Sequence, residues 1–431
     1  MFKRLTAKEI LHLTLVITFV SSAAFAARPV PRPKKSQVTH GAVVSDAVII
    51  EWNRNAVTII GAQPPFPAAR FMLISQLAVF EAVNAISGKY QPYLGTIVAP
   101  SGASKEAAAI SAAYGVLNAY LPSAALDQLR DDSLANIPDG QAKTGGIAVG
   151  QAVAAAMVLN RTNDGSAPAL FFTPTSAAPG EWQLYGGCPV GGGIFYHWQN
   201  VRPFGISSAS QFRADPPPSL DSGRYAIDFN EVQSVGDVNS LIRPADRSDV
   251  ARFYAAAPPH FAWNDAFRQM ASSRSDDIVD TARTSALMNM AIVDAHVSTF
   301  ETKYHYRLWR PITAIPRADE DSNNKTAAGA FVPYIATPCF PSYPSAHGAA
   351  AGAAEDVLER AYGRFGHAIV ATHPGAPGVV LNYSDLRMIN RDIDDARVFG
   401  GIHFRFDQVA GERQGKFVAG YLRENVLRKV D

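Results

Sequence analysis

Apolar residues recur at helical spacing over Ala68–Ser87, Ser104–Leu121 and Thr144–Leu159, and the sequence predicts an α-helix over each. Asn163-Asp164-Gly165-Ser166 ends the last of them. From 165 to 248 the periodicity gives way to Gly, Pro and aromatics, with Gly186-Gly187-Cys188-Pro189-Val190-Gly191-Gly192-Gly193 and Pro216-Pro217-Pro218 as the extremes. Trp182, Tyr185, Phe195, Tyr196, Trp198 and Phe204 suit a solvated connector poorly, so this stretch is expected to form long ordered loops with short helices, lining a site. A helical pattern then runs from Asp276 to about Trp309, where Pro311 stops it. Residues 316–344 read as loop, Gly348–Gly363 as a small-residue helix and Phe404–Lys429 as a final amphipathic one. Strand signals are scarce. The expected fold is mainly α, made of helical bundles (two four-helix-bundle-like halves) with long ordered loops.

The 431 residues are 47% hydrophobic and 18% charged, a globular balance with length for a large core. Residues 1–26 read as a secretory signal peptide: Lys3, Arg4 and Lys8, an apolar run Ile10–Val20, then Ala24-Phe25-Ala26. That run is shorter than the roughly 20 residues of a spanning helix, and no other stretch is expected to cross a membrane. Residues 27–45 are a basic, Pro-rich extended leader. Residues 46–248 form an expected N-terminal helical half and 249–431 a catalytic half. The mature chain is expected to be exported, periplasmic or secreted. Loss of the signal takes the formal net charge from +1 to −1, which gives no basis for a nucleic-acid partner. An oxidising compartment permits a Cys188–Cys339 disulfide, and two free thiols suit the sequence equally well.

Three runs in the last third carry the candidate chemistry: Lys303-x6-Arg310-Pro311, Pro344-Ser345-Ala346-His347 and Arg397-x5-His403-x3-Asp407. Lys303 and Arg310, two turns apart, are expected on one helical face shared with Arg307. Pro344-Ser345 suits a helix start, where the Ser345 hydroxyl and Ala346 amide would meet an anion. Asp407, expected four residues after His403 on one helix, would fix the imidazole tautomer, and neighbouring cations would keep His403 neutral. Singly, each run has an ordinary explanation: a solvated basic face, an N-cap serine, a helix side-chain pair. Together they supply three cations, a hydroxyl, a backbone amide and two histidines for one tetrahedral oxyanion. Asp392-Ile393-Asp394-Asp395 reads as a solvated turn, and His296 and His305 as packing or surface residues.

These runs resemble the signature shared by vanadium-dependent haloperoxidases and the type 2 phosphatidic acid phosphatase superfamily. Lys303–Ile315, Phe340–His347 and Gly400–Asp407 are similar to the soluble bacterial haloperoxidase branch. Weaker likeness extends over Val79–Tyr93, Asn160–Ser166 and Pro217–Gly236. The resemblance implies vanadate as cofactor, with no haem. Lys303, Arg310 and Arg397 would neutralise its equatorial oxygens, and Ser345 and the Ala346 amide would add hydrogen bonds. His403 would be the axial vanadium ligand oriented by Asp407, and His347 the acid–base group. It further implies hydrogen peroxide, a halide and a small organic acceptor as partners, and is compatible with homo-oligomers. Ala346 stands where the signature has Gly, and Ala396 where it has Ser. Phe340 and Phe300 occupy positions tied to halide preference in that family. The same residues would also serve an acid phosphatase, with His403 attacking the phosphorus of a phosphomonoester and His347 protonating the leaving oxygen. A third reading is an exported protein that binds the oxyanion without turnover.

Overall fold

The computed structural model describes residues 46–61 and 63–430. The signal peptide and all of the leader lie outside the described residues. The first helices are α1 (Ala47–Ile60), α2 (Pro65–Ser87), α3 (Lys105–Tyr120), α4 (Ala124–Ala135) and α5 (Gln141–Asn160). After a long loop region come α6 (Gly223–Val235), α7 (Ala245–Ala256), α8 (Pro259–Ser272), α9 (Ile278–Tyr306) and the single turn α10 (Pro311–Ala314). The chain ends with α11 (Ala346–Tyr362), α12 (Leu386–Val398) and α13 (Arg405–Asn425). The protein is mainly α, with helical bundles and long ordered loops as the periodicity predicts. An antiparallel ribbon, β1 (Phe365–Ala371) with β2 (Leu381–Asp385), was not anticipated: its strands are short, half their residues are exposed, and β1 lacks a clean alternation.

Caps set several of the helix starts. Ser104, Ser123, Ser222 and Ser345 each accept a backbone N–H from the first turn of α3, α4, α6 and α11, and Asp277 does so for α9. Two helices are buried nearly all round, α2 and α9, and they pack on each other across the middle of the fold. α2 also packs on α3 and α5, and α9 on α11 and α13. Gly146 and Gly150 let α5 approach α3 so closely that a Cβ on Gly150 would lie 2.5 Å from the Ala108 carbonyl oxygen.

Contrary to expectation, α2 and α5 are long and apolar enough to cross a membrane by length and composition alone. The apolar stretch of α2 is 89% buried by protein, which identifies it as a core helix. That of α5 is 39% buried, and Ala and Gly account for much of its apolar character.

The long loops are pinned rather than loose. Cys188 and Cys339 form a disulfide, with Cα atoms 5.4 Å apart. Ile194 N donates to the Cys339 carbonyl at 2.8 Å, and Trp309 N to that of Gly180 at 2.8 Å. Buried Asp294 of α9 accepts the amides of Phe204, Gly205 and Ile206 at 2.7, 2.7 and 3.0 Å, which ties a third loop segment to the central helix.

Candidate active site

α11 and α13 lie side by side and parallel, so that both N-termini open on the same place. Glycines set their separation. A Cβ on Gly352 of α11 would sit 2.3 Å from the Glu412 carbonyl oxygen, and one on Gly415 of α13 would sit 1.9 Å from that of Ala349. At the N-terminal end Ser345 N donates to the Asp407 carbonyl at 2.9 Å. Unpaired first-turn amides and two aligned helix dipoles favour an anion here.

The structure gathers all eight predicted residues at this end, by a route that corrects the local reading. α9 stops at Tyr306, and Arg307 takes a left-handed conformation with φ +53°. Lys303 and Arg310 therefore do not share a helical face, and Arg307 points elsewhere, 3.6 Å from Glu181. Arg310 precedes α10 and reaches the site from beyond the turn. Likewise His403 lies before α13 begins, and Asp407 sits in its first turn. The pair meets through this cap, with Asp407 Oδ2 accepting Phe404 N at 3.1 Å, not through helical spacing.

Lys303, Arg310 and Arg397 are buried. Lys303 Nζ donates to the carbonyls of Pro341, Ser342 and Pro344 at 2.9, 2.7 and 2.5 Å. Burial and Arg310 push its pKa well down. Three acceptors nevertheless call for three N–H donors, which only the ammonium has. Lys303 thus offers its charge to the site, while its protons hold the loop that leads into α11. Arg310 donates through Nε to the Phe340 carbonyl at 2.9 Å, and through Nη1 to that of Ile402 at 2.8 Å and to His403 Nε2 at 2.9 Å. Arg397 Nη1 donates to His347 Nε2 at 3.1 Å. Burial, then Arg310, lowers Arg397 to about 9.

His403 Nδ1 lies 2.8 Å from Asp407 Oδ2, which also accepts Ser342 Oγ at 2.6 Å. The carboxylate holds the Nδ1–H tautomer and leaves the Nε2 lone pair facing the cations. Burial first, then Arg310, Lys303 and Arg397, pushes His403 well below the usual histidine value, so the ring is neutral. Burial and Arg397 do the same to half-buried His347. Burial raises Asp407 to about 6, against the pull of Ser342 and Lys303.

Three donors remain without partners: Arg310 Nη2, Arg397 Nε and Arg397 Nη2 are all buried and unbonded. Each such group costs about 1–3 kcal/mol unless something accepts from it. Among the described residues no group of three or more His, Cys, Asp or Glu is placed to hold a bare metal ion. A neutral imidazole beside two buried arginines that keep unpartnered donors is instead the donor set for a metal oxyanion, and vanadate fits it.

Residues 283–431 match the family model described as the VCPO second helical-bundle domain. The fold is similar to that of a bacterial vanadium-dependent iodoperoxidase, with TM-score 0.75 and 24% identity over 90% of this chain and 98% of that one. Its fold and its C-terminal domain are those of the vanadium-dependent haloperoxidases. A holo-type bacterial vanadium-dependent chloroperoxidase shares the fold with TM-score 0.66 and 16% identity, over 86% of this chain and 96% of that one. Vanadium chloroperoxidase of Curvularia inaequalis is 25% identical over 204 residues. That match covers 40% of this chain and 33% of that protein, so the chain spans about a third of the length of that curated relative.

Within this haloperoxidase fold, sequence reasoning missed three polar residues near the site. Ser342, which donates to Asp407, lay inside the Phe340–His347 run. His296 was read as packing or surface, yet it lines the cavity in front of His347. The available signal was its place seven residues before Lys303, on the same side of α9. His260 enters from α8 with no local signal. His305 is exposed, as expected. The acidic run 392–395 is no solvated turn but part of α12, where Asp392 and Asp395 hold Arg247 at 2.8 and 3.0 Å and Asp394 is buried.

Proposed function

We propose that this protein is an exported, vanadate-dependent haloperoxidase that uses hydrogen peroxide to oxidise a halide. Halide, hydrogen peroxide and one proton give a hypohalous acid and water, and the hypohalous species halogenates an organic acceptor. The observation that carries this reading is a neutral His403 bonded by Arg310, at an end of the fold where three buried guanidinium nitrogens of Arg310 and Arg397 have no partner. Bound vanadate supplies the Lewis acidity that activates peroxide. The chain supplies the rest. Arg310, Arg397 and the Lys303 charge neutralise the oxyanion, and the Ser345 hydroxyl and Ala346 amide donate to it. His403 Nε2 would hold the vanadium while Asp407 keeps the proton on Nδ1. His347 accepts and returns a proton in front of the site. Export rests on residues 1–26.

The test is bromination of phenol red by residues 27–431 with orthovanadate and hydrogen peroxide, beside hydrolysis of p-nitrophenyl phosphate without vanadate. Bromination that needs both vanadate and His403, judged with His403→Ala, is the expected result. Phosphate release without bromination would overturn the proposal and make His403 a phosphorylated nucleophile.

A further inference from the structure

In front of His347 and His403 lies a cavity of about 300 Å³ whose composition exceeds what an oxyanion needs. Its walls are mostly apolar, among them Pro65, Phe66, Ile194, Phe195, Pro338 and Phe340, and Arg397 lines it as well. The rings meet edge to face around Phe66, with centroids 4.8 Å away for Phe195, 4.6 Å for Phe300 and 4.9 Å for His296. Into this chamber come the side chains of His260 and His296, which are 5% and 3% exposed. Neither imidazole has a hydrogen bond to any described residue, and Nδ1 of each is buried and unpartnered. Two buried polar groups without partners, in one aromatic chamber, call for a ligand that completes them.

The chemistry of that ligand follows from the walls. Both imidazoles are neutral, since burial lowers His260 to about 4 and His296 to about 3. Arg397 borders the chamber at its oxyanion end, where its unpartnered donors face the oxyanion site. A lone halide held there would leave most of the apolar surface bare. A chamber of this size, mostly aromatic with a few convergent polar groups, is that of a small organic ligand. An aromatic ring would stack edge to face on Phe66 and Phe195. A hydroxyl on it could donate to one imidazole and accept from the other.

We propose that the chamber bounded by Phe66, Phe195, Phe340, His260 and His296 is a binding subsite for a phenol-class acceptor, held by its hydroxyl on the two histidines. As the identity of an acceptor, this rests on the haloperoxidase reading; as a binding site for phenols, it does not. A phenol held there is halogenated on the enzyme. The carbon–halogen bond forms as the oxygen–halogen bond of the hypohalous acid breaks, and the ring proton leaves with the released hydroxide as water.

Ligand-observed NMR titrations of the vanadate-free full chain with phenol and with toluene test the binding. Phenol is expected to bind at least tenfold more tightly than toluene, and His260→Leu/His296→Leu to bind the two alike. Equal wild-type affinities, or a phenol preference that survives the double substitution, would overturn the proposal. Should the double variant fail to fold, the wild-type ratio decides alone. In turnover with bromide and peroxide, an ortho:para ratio different from that of free hypobromous acid supports on-enzyme reaction, and an identical ratio refutes it. Because the binding arm contains no vanadate, loss of bromination would count against the haloperoxidase reading and not against the subsite.

Discussion

Gly415→Ala should damage the site from about two helix turns below it. The new Cβ would lie 1.9 Å from the Ala349 carbonyl oxygen, whereas real Cβ contacts essentially never fall under 3.0 Å. The partner atom is backbone, so no rotamer change relieves the clash, and α13 must retreat from α11 by about 1 Å. Overpacking of this kind costs about 1–3 kcal/mol. The retreat also stretches the 2.9 Å Ser345–Asp407 bond and moves His403 and Asp407 away from Ser345 and His347. A shift of this size between reacting groups costs on the order of 100-fold in rate. Gly420→Ala is the control: it lies on the same helix with nothing within 4 Å of its Cβ. Helix propensity alone favours Ala at both positions by about 0.8–1.0 kcal/mol, so a loss at 415 is steric. The measurements are Tm and orthovanadate Kd for the three proteins, with bromination kcat/KM alongside. If Gly415→Ala matches Gly420→Ala in Tm and in vanadate affinity, the argument that glycine contacts position the site is wrong.

Orthovanadate should raise Tm, because it completes Arg310 and Arg397: about 2.7 kcal/mol at a hundredfold excess over Kd, read as a rise of a few degrees by scanning calorimetry. No rise at millimolar vanadate would refute the cage. His260 has a folded pKa of about 4 against an ordinary 6.5, so as pH falls the unfolded chain takes up the proton first and the native state loses stability. His260→Leu should therefore gain about 2 kcal/mol relative to wild type between pH 7 and pH 5 in urea unfolding, and a gap that does not change with pH would contradict this. Cys339→Ser should lower stability by about 2–5 kcal/mol, since the disulfide closes a loop across 151 residues, and proteolysis should then cut first between 186 and 195. Unchanged cleavage kinetics would show that the loop is held without it.

Helices α2, α3, α5, α9, α11 and α13 were legible because burial imposes a period, whereas α1, α4, α6, α7, α8 and α12 were not placed; the site residues were legible because their types are chemically complementary. Local geometry was not. Lys303 and Arg310 are seven apart and read as one helical face, but a left-handed Arg307 ends α9 first, and the two side chains converge through a change of direction that periodicity does not encode. His403 and Asp407 show the same limit. Their spacing matched a helix pair, while the actual link is a cap that a carboxylate at the third helical position makes with Phe404 N. The Cys188–Cys339 pairing and the arrival of His260 depend on contacts between distant segments, for which the sequence holds no local mark. His296 was the recoverable case: with Phe300 and Lys303 it makes an i, i+4, i+7 set on α9, and those three face the chamber or the cage.

Asp407 shows how one buried carboxylate reconciles stability with an under-bonded site. It is the one carboxylate among the predicted site residues, facing three buried cations, and its Oδ2 gathers the His403 Nδ1–H, the Ser342 hydroxyl and the Phe404 amide. Were a second carboxylate present, the cations would be satisfied and the oxyanion excluded, because a buried ion pair that is already complete gains nothing from a guest. Were Asp407 absent, the N-terminus of α13 would lose its cap and His403 its tautomer. The fold can tolerate the residual positive charge because its stability is generated elsewhere, in the α2–α9 core, where apolar side chains are buried on nearly every face. The cage is left short of acceptors at Arg310 and Arg397 alone, and that shortfall gives a tetrahedral oxyanion its differential affinity for the folded chain.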